Sequence, residues 1–346
     1  MKRWIVRSCA AMLVGLLMIV APALAAKQEL VISTWGYGYD IFKGIWQEPF
    51  EQRYDCKIAW EFGNNSERAN KLRMFKNNPR VDVVQITDYF AQMLTNEGIL
   101  EDITEAEVPN LAYLYDFAKR PLKNGTSPAY TIGRCGIVYR TDVIKQPITS
   151  WKDLWRADVQ GKLALPDVTT TQGPMVMEMT ARILGCDLKN IDAVFNKLAE
   201  LKKGTVKFYM KSSELINMFT RGEVAVAPTQ AMFFRDFVKA GLPVAWVDPV
   251  EGTPAVINVI AVVKGAPHED LAMKYVNYML SKEVQYESAM KIKDSPVNKL
   301  VQVPEDARAG LTYGEDVIKN LVLLDWDYVL QHWDAWVERW NREIAK

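Results

Sequence analysis

Apolar positions along the chain switch repeatedly between a short continuous or alternating register and a helical one. Leu30, Val31 and Ile32 form a compact apolar run that reads as a buried strand of a parallel sheet. Phe42, Ile45, Trp46 and Phe50 then recur at helical spacing over 42–53, and Cys56 to Phe62 alternates like a strand. Ser66 reads as the N-cap of a helix over 67–76, with Ala69, Leu72 and Phe75 as its apolar members and Pro79 closing it. Residues 81–86 are the next predicted strand, followed by a helix that ends near Gly98. The pattern restarts after Pro128, with strands expected at 133–140, 163–167, 206–210, 224–229, 244–247 and 256–263. Ser150 opens a short helix between them, and Pro174 opens one running to about Leu184. The last third is helical and closes over 329–344, where Trp333, Trp336 and Trp340 stand three and four apart and therefore read as core packing. Strands alternating with helices imply an α/β fold of parallel βαβ units with right-handed crossovers.

The predicted strand tips carry the candidate chemistry. In open α/β sheets ligands bind in the crevice beyond the carboxyl ends of the strands. The first strand ends in Thr34-Trp35-Gly36-Tyr37-Gly38-Tyr39, three aromatics interleaved with two glycines, which reads as one wall of a ligand cleft. The 81–86 strand delivers Thr87, Asp88, Tyr89 and Phe90, and the 163–167 strand ends in Val168 followed by Thr169, Thr170, Thr171 and Gln172. Asn258 stands alone inside the most apolar strand. It is either a satisfied core amide or a group aimed at the cleft, since a buried unpaired amide costs about 1–3 kcal/mol.

Lys2, Arg3 and Arg7, an apolar stretch from Ala10 to Val20 and the triplet Ala23-Leu24-Ala25 follow the order of a cleavable secretory signal over 1–25. The apolar part is too short to span a bilayer. Its loss removes three of 42 basic residues and leaves 39 against 42 acidic ones, a slightly acidic, unpatterned chain with no electrostatic footprint for nucleic acid. Cys56, Cys135 and Cys186 remain, an odd number that favours buried apolar thiols over a disulfide scaffold.

No Gly-x-Ser-x-Gly elbow, P-loop or His-Glu-x-x-His motif occurs, and Gly36-x-Gly38 lacks the third glycine of a dinucleotide fingerprint. His268 and His332 are the only histidines. Imidazole catalysis and metal ligation are thus poorly supplied, and neither a cofactor nor a metal site is expected. These absences point away from an enzyme.

The signal, the aromatic tip after the first strand, Asp82-Val83-Val84-Gln85-Ile86-Thr87-Asp88-Tyr89 and Gly133-Arg134-Cys135-Gly136-Ile137 together resemble a bacterial solute-binding protein of an ABC importer. Ser150-Trp151-Lys152-Asp153-Leu154, Ser295-Pro296-Val297-Asn298-Lys299 and the tail around Trp326-Asp327 add to the likeness, which is greatest to the spermidine/putrescine-binding branch. The resemblance implies an α/β, two-lobe periplasmic-binding-protein fold (type II), with hinged lobes closing on an interlobe cleft. One lobe would hold 27–132 plus 257–300 and the other 133–256 plus 301–346. It also implies export to the periplasm, action as a monomer and delivery of a small-molecule solute to an ABC permease in the inner membrane.

Carried over by position, the family's polyamine contacts fall on Trp35, Tyr37 or Tyr39, Thr87, Tyr89, Asn258 and Asp327. This chain departs from the pattern where Thr replaces an acidic pair after the 163–167 strand, at Asn258, at Val256 and at Pro228-Thr229-Gln230. Asp88 and Asp327 remain as partners for one cationic end, while Thr170, Thr171, Gln172 and Arg134 are available to a polar or anionic end. The expected cargo is a small amine-containing solute, either a polyamine-like cation or an amino-acid-like zwitterion. A ferric iron or inorganic-anion carrier of the same fold, and a periplasmic enzyme or sensor accessory protein on the two-lobe scaffold, are the alternatives.

Overall fold

The computed structural model describes residues 27–36 and 38–345; the expected signal peptide over 1–25, and Tyr37, lie outside the described residues. Ten strands form one mixed sheet: β1 (Glu29–Thr34), β2 (Lys57–Phe62), β3 (Val83–Thr87), β4 (Ala129–Arg140), β5 (Leu163–Pro166), β6 (Thr205–Tyr209), β7 (Val226–Gln230), β8 (Val244–Val247), β9 (Thr253–Val262) and β10 (Leu321–Val322). Their order is β2-β1-β3-β9-β4-β7-β5-β6, with β8 paired to β4 and β10 to β9.

Parallel pairing holds at each end, in β2-β1-β3 and in β7-β5-β6. The centre differs from the expected all-parallel arrangement. There β3 pairs with β9, β9 with β4, and β4 with β7 and β8, all antiparallel. The cause is the length of β4 and β9, 12 and 10 residues, which cross from one half of the molecule to the other. β4 pairs with β9 through Arg134 and with β7 from Cys135 onward. The two crossing strands therefore weld two parallel half-sheets into one.

The core divides at the same place. One apolar cluster draws on 30–132 and 255–297, and a second on 135–256 and 322–344. A smaller one lies within 138–237, and Val301, Val303, Ala307 and Leu311 pack on Ala289 as a fourth. The C-terminal helix Trp326–Glu343 buries Trp326, Val329, Trp336 and Trp340 in the second cluster, so the tryptophan spacing does mark core packing. Cys56 and Cys135 are buried free thiols and Cys186 is a half-buried one.

Local signals explain most element ends. Ser150 caps the 3-10 turn Trp151–Trp155, and the Asp153 carboxylate in return accepts from the Ser150 backbone N–H. The helix predicted over 67–76 with Ser66 as its N-cap instead runs Asn65–Met74, because Asn64 and Glu67 form a capping box two residues earlier. Strand β4 begins four residues before its predicted start, directly after Pro128.

Candidate functional site

Four strand ends converge on one cavity of about 360 Å³, a size suited to a small organic molecule. β1 ends in Thr34 and Trp35, β3 in Thr87, and β7 in Gln230 followed by Met232 and Phe233; Thr171 follows β5 after a short loop. All seven belong to the lining, and the crossing strands floor it with Tyr130, Val256 and Asn258. In register, Asn258 stands opposite Thr87 on one side and Thr131 on the other. It is the one partly exposed residue of β9, which resolves its role in favour of a group facing the cavity.

The aromatic wall is built by an irregularity. The helix after β1 widens into a π-helical stretch, Lys43–Gln47, and Trp46 sits on it. Its ring stacks on Phe42 with centroids 4.5 Å apart and meets Tyr130 edge to face at 6.2 Å. Its Nε1 donates to Ser288 Oγ at 2.8 Å, so the indole is held from both ends. Trp35 is held from behind: the Arg68 guanidinium lies 4.5 Å from the centre of its ring. Arg68 is buried, and burial lowers its pKa to about 10, which leaves it charged at neutral pH.

The polar lining comprises Thr34, Asn65, Thr87, Thr171, Gln230 and Asn258, with Asp294 as the charged member. Thr34 donates to Gln85 Oε1 at 2.6 Å, and Gln85 Nε2 behind it has no hydrogen-bond partner among the described residues. Asp294 opens into the cavity beside Ile292. Its burial pushes the carboxyl up to about 7, against the pull of the Arg235 charge.

Of the residues named from sequence, Trp35, Thr87, Thr171 and Asn258 come together here. The others do not. Tyr39 packs edge-on against Phe42, Trp60 and Phe62, behind Phe42 and not itself in the lining. Asp88 turns behind β3, where it is buried, accepts from Trp326 Nε1 at 2.6 Å and has its pKa raised by burial to about 7. Tyr89 points the same way and packs on Trp326 and Trp333. Asp327 sits on the C-terminal helix and pairs with Lys123 at 2.9 Å. Thr170 spends its hydroxyl within its own loop, donating to the Asp167 carbonyl and accepting from Gly173 N. Gln172 is buried in the first turn of the helix Gln172–Ile183. Gly173 allows that helix to start so close, since a Cβ there would lie 2.5 Å from the Val168 backbone. Arg134 is likewise committed elsewhere, to a two-pronged pair with Asp248 at 2.7 and 3.0 Å.

Asp294, Asn65, Trp46 and Tyr130 were not anticipated. Asp294 immediately precedes Ser295-Pro296, already distinctive in the sequence, and the strand-tip rule applied to β7 would have found Gln230 and Met232. Asn65 and Trp46 carry no such signal.

The model of the family described as bacterial extracellular solute-binding protein matches residues 46–310. The spermidine/putrescine-binding periplasmic protein of Escherichia coli (strain K12) is 26% identical over 296 residues, covering 79% of this chain and 80% of that protein. The crystal structure of an ABC transporter from Clostridium perfringens superposes with a TM-score of 0.82 at 38% identity, covering 91% of this chain and 99% of that one. The spermidine/putrescine substrate-binding protein of Streptococcus pneumoniae shares the two-lobe fold at a TM-score of 0.73 and 18% identity, covering 90% of this chain and 98% of that one. Among the described residues no helix is long and apolar enough to cross a membrane, and no three His, Cys, Asp or Glu side chains are grouped so as to hold a metal ion.

Proposed function

Because the chain belongs to the bacterial extracellular solute-binding protein family and is a substrate-binding protein of an ABC transporter related to the polyamine binders, we propose that its cargo is a small organic amine. The ammonium group sits on Asp294 and the carbon chain lies along Trp35, Trp46 and Tyr130. The observation that carries this reading is Asp294, the one charged side chain among the described lining residues, set in an aromatic cavity. An ammonium in such a place needs an acceptor, because burying it unpaired costs far more than a ring face returns. Each desolvated cation–ring contact contributes about 0.5–2 kcal/mol.

Solute-binding proteins of ABC importers deliver small-molecule ligands to membrane permeases. For this chain, the signal-like first 25 residues support delivery from the periplasm. The cavity is framed by 27–132 plus 257–300 on one side and by 133–256 on the other, which supports lobe closure about β4 and β9 as the step that a permease senses.

The test is an equilibrium titration followed by tryptophan fluorescence, using alkylamines, diamines and ω-amino acids of three to six carbons beside phosphate, sulfate and ferric citrate. Saturable quenching by amines supports the reading. Silence to every amine with a response to the anions or to ferric citrate contradicts it.

A further inference from the structure

From the chain of contacts behind Trp35 we infer that the part of the cleft lined by Asn65 and Thr87 is built for an oxyanion, so that the cargo is a zwitterion with an ammonium on Asp294 and a carboxylate or phosphonate at its other end. This rests on the amine reading above and deepens it.

An arginine donates hydrogen bonds and accepts none. Arg68 Nε donates to the Gly63 carbonyl and Nη1 to those of Ser33 and Gln85, while Nη2 donates to Asn65 Oδ1 at 2.9 Å. That last bond fixes the Asn65 amide: its oxygen faces Arg68, so its NH2 group must face the other way. The NH2 group donates to Thr87 Oγ1 at 3.3 Å, which leaves one amide hydrogen and the Thr87 hydroxyl hydrogen free for another acceptor. Asn65 and Thr87 both line the cavity. These two side chains therefore offer hydrogen-bond donors to a ligand.

Charge points the same way. Arg68 is 1% exposed, and Glu61, the carboxylate that acts on it through space, is already paired with Lys71 at 2.7 Å. Its positive charge thus reaches the cavity through Trp35 and Asn65 without a carboxylate between. A second ammonium docked on Trp35 would share the ring with Arg68 and meet a like charge. Thr171, also in the lining, precedes the helix Gln172–Ile183, whose first turn carries no acidic residue, so the positive pole of that helix borders the cavity.

Matched ligands of three to six carbons separate the possibilities by calorimetry: ω-amino acids, ω-aminoalkylphosphonates, diamines, monoamines and simple carboxylates. An ω-amino acid or aminophosphonate binding about tenfold or more tighter than the diamine and monoamine of its length supports the inference, and the better of the two names the oxyanion. Diamines or monoamines binding equally well or better overturn it while leaving the amine reading in place. Silence to every amine overturns both. Asn65→Asp gives an independent check, because an acid at the first turn of the helix Asn65–Met74 is favourable and next to Arg68 it keeps that contact. The variant is expected to lose at least tenfold in affinity for the ω-amino acid and to gain affinity for the diamine. An unchanged order of preference would overturn the inference.

Discussion

The guanidinium of Arg68, in the helix Asn65–Met74, lies 4.5 Å from the centre of the ring of Trp35, which follows the end of β1 and lines the cavity. The charge that holds the indole in place also sets the sign of that wall. Trp35→Ala removes both a ring face for the ligand and the cover over Arg68. It is expected to weaken ligand binding about tenfold or more and to cost about 1–2 kcal/mol of stability through the lost cation–ring contact. Calorimetric titration alongside denaturant unfolding reads both quantities.

Asp88 and Asp294 are each raised to about 7, chiefly by burial, whereas an aspartate in the unfolded chain ionises near 4. Between those values the folded protein holds more protons than the unfolded chain, so their contribution to stability falls as the pH rises from about 4 to about 7 and then levels off. Unfolding free energies measured from pH 5 to pH 8 in the ligand-free protein should decline accordingly. Asp294→Asn should remove about half of that slope, since two groups of similar pKa share it.

Asp88 was expected at the ligand and instead accepts from the Trp326 indole nitrogen, tying the helix Asp88–Asn96 to the C-terminal helix. Asp88→Ala leaves that buried donor unpaired and is expected to cost about 1–3 kcal/mol. Affinity for an ω-amino acid should stay within about twofold, because the cavity lies on the other side of β3 and distant sites act independently. A large loss of affinity with little change in stability would return Asp88 to the binding site.

Asp327 forms an exposed pair with Lys123 and also accepts from Asn96 and Gln331, all on the surface. Asp327→Asn should change stability by less than about 1 kcal/mol and leave ligand affinity unaltered. Titration of the variant with a cationic and a zwitterionic ligand checks this directly.

How far the sequence carried depended on the kind of signal. Strands with continuous apolar runs, the capped turn at Ser150 and the tryptophan stripe of the last helix were plain, because burial and helical periodicity are local properties. The antiparallel centre was not, since nothing in β4 or β9 alone says that they cross between two half-sheets. The same limit governed the site. Thr87 and Asp88 are adjacent at one strand tip, yet the start of a helix turns one into the cavity and the other behind the sheet. Trp35 and Asn258 were found because an aromatic beside glycines and a lone amide among β-branched residues are out of place locally. Asn65 takes its role from Arg68 one helical turn on and from Thr87 on another strand, and Asp294 from a cavity assembled by strands far along the chain, so neither stands out in its own stretch of sequence.

The central claim is that Asp294 receives the ammonium group. At pH 6 a carboxyl with a pKa of about 7 is mostly protonated, and it must lose that proton to pair with an ammonium. Calorimetric titration with 4-aminobutyrate at pH 6 and pH 8, in buffers of different ionisation enthalpy, counts the protons released. Release of nearly one proton per site at pH 6, little at pH 8, and loss of both the release and most of the affinity in Asp294→Asn is the predicted result. Binding with no proton exchange at either pH, equally tight in the Asn variant, would contradict it.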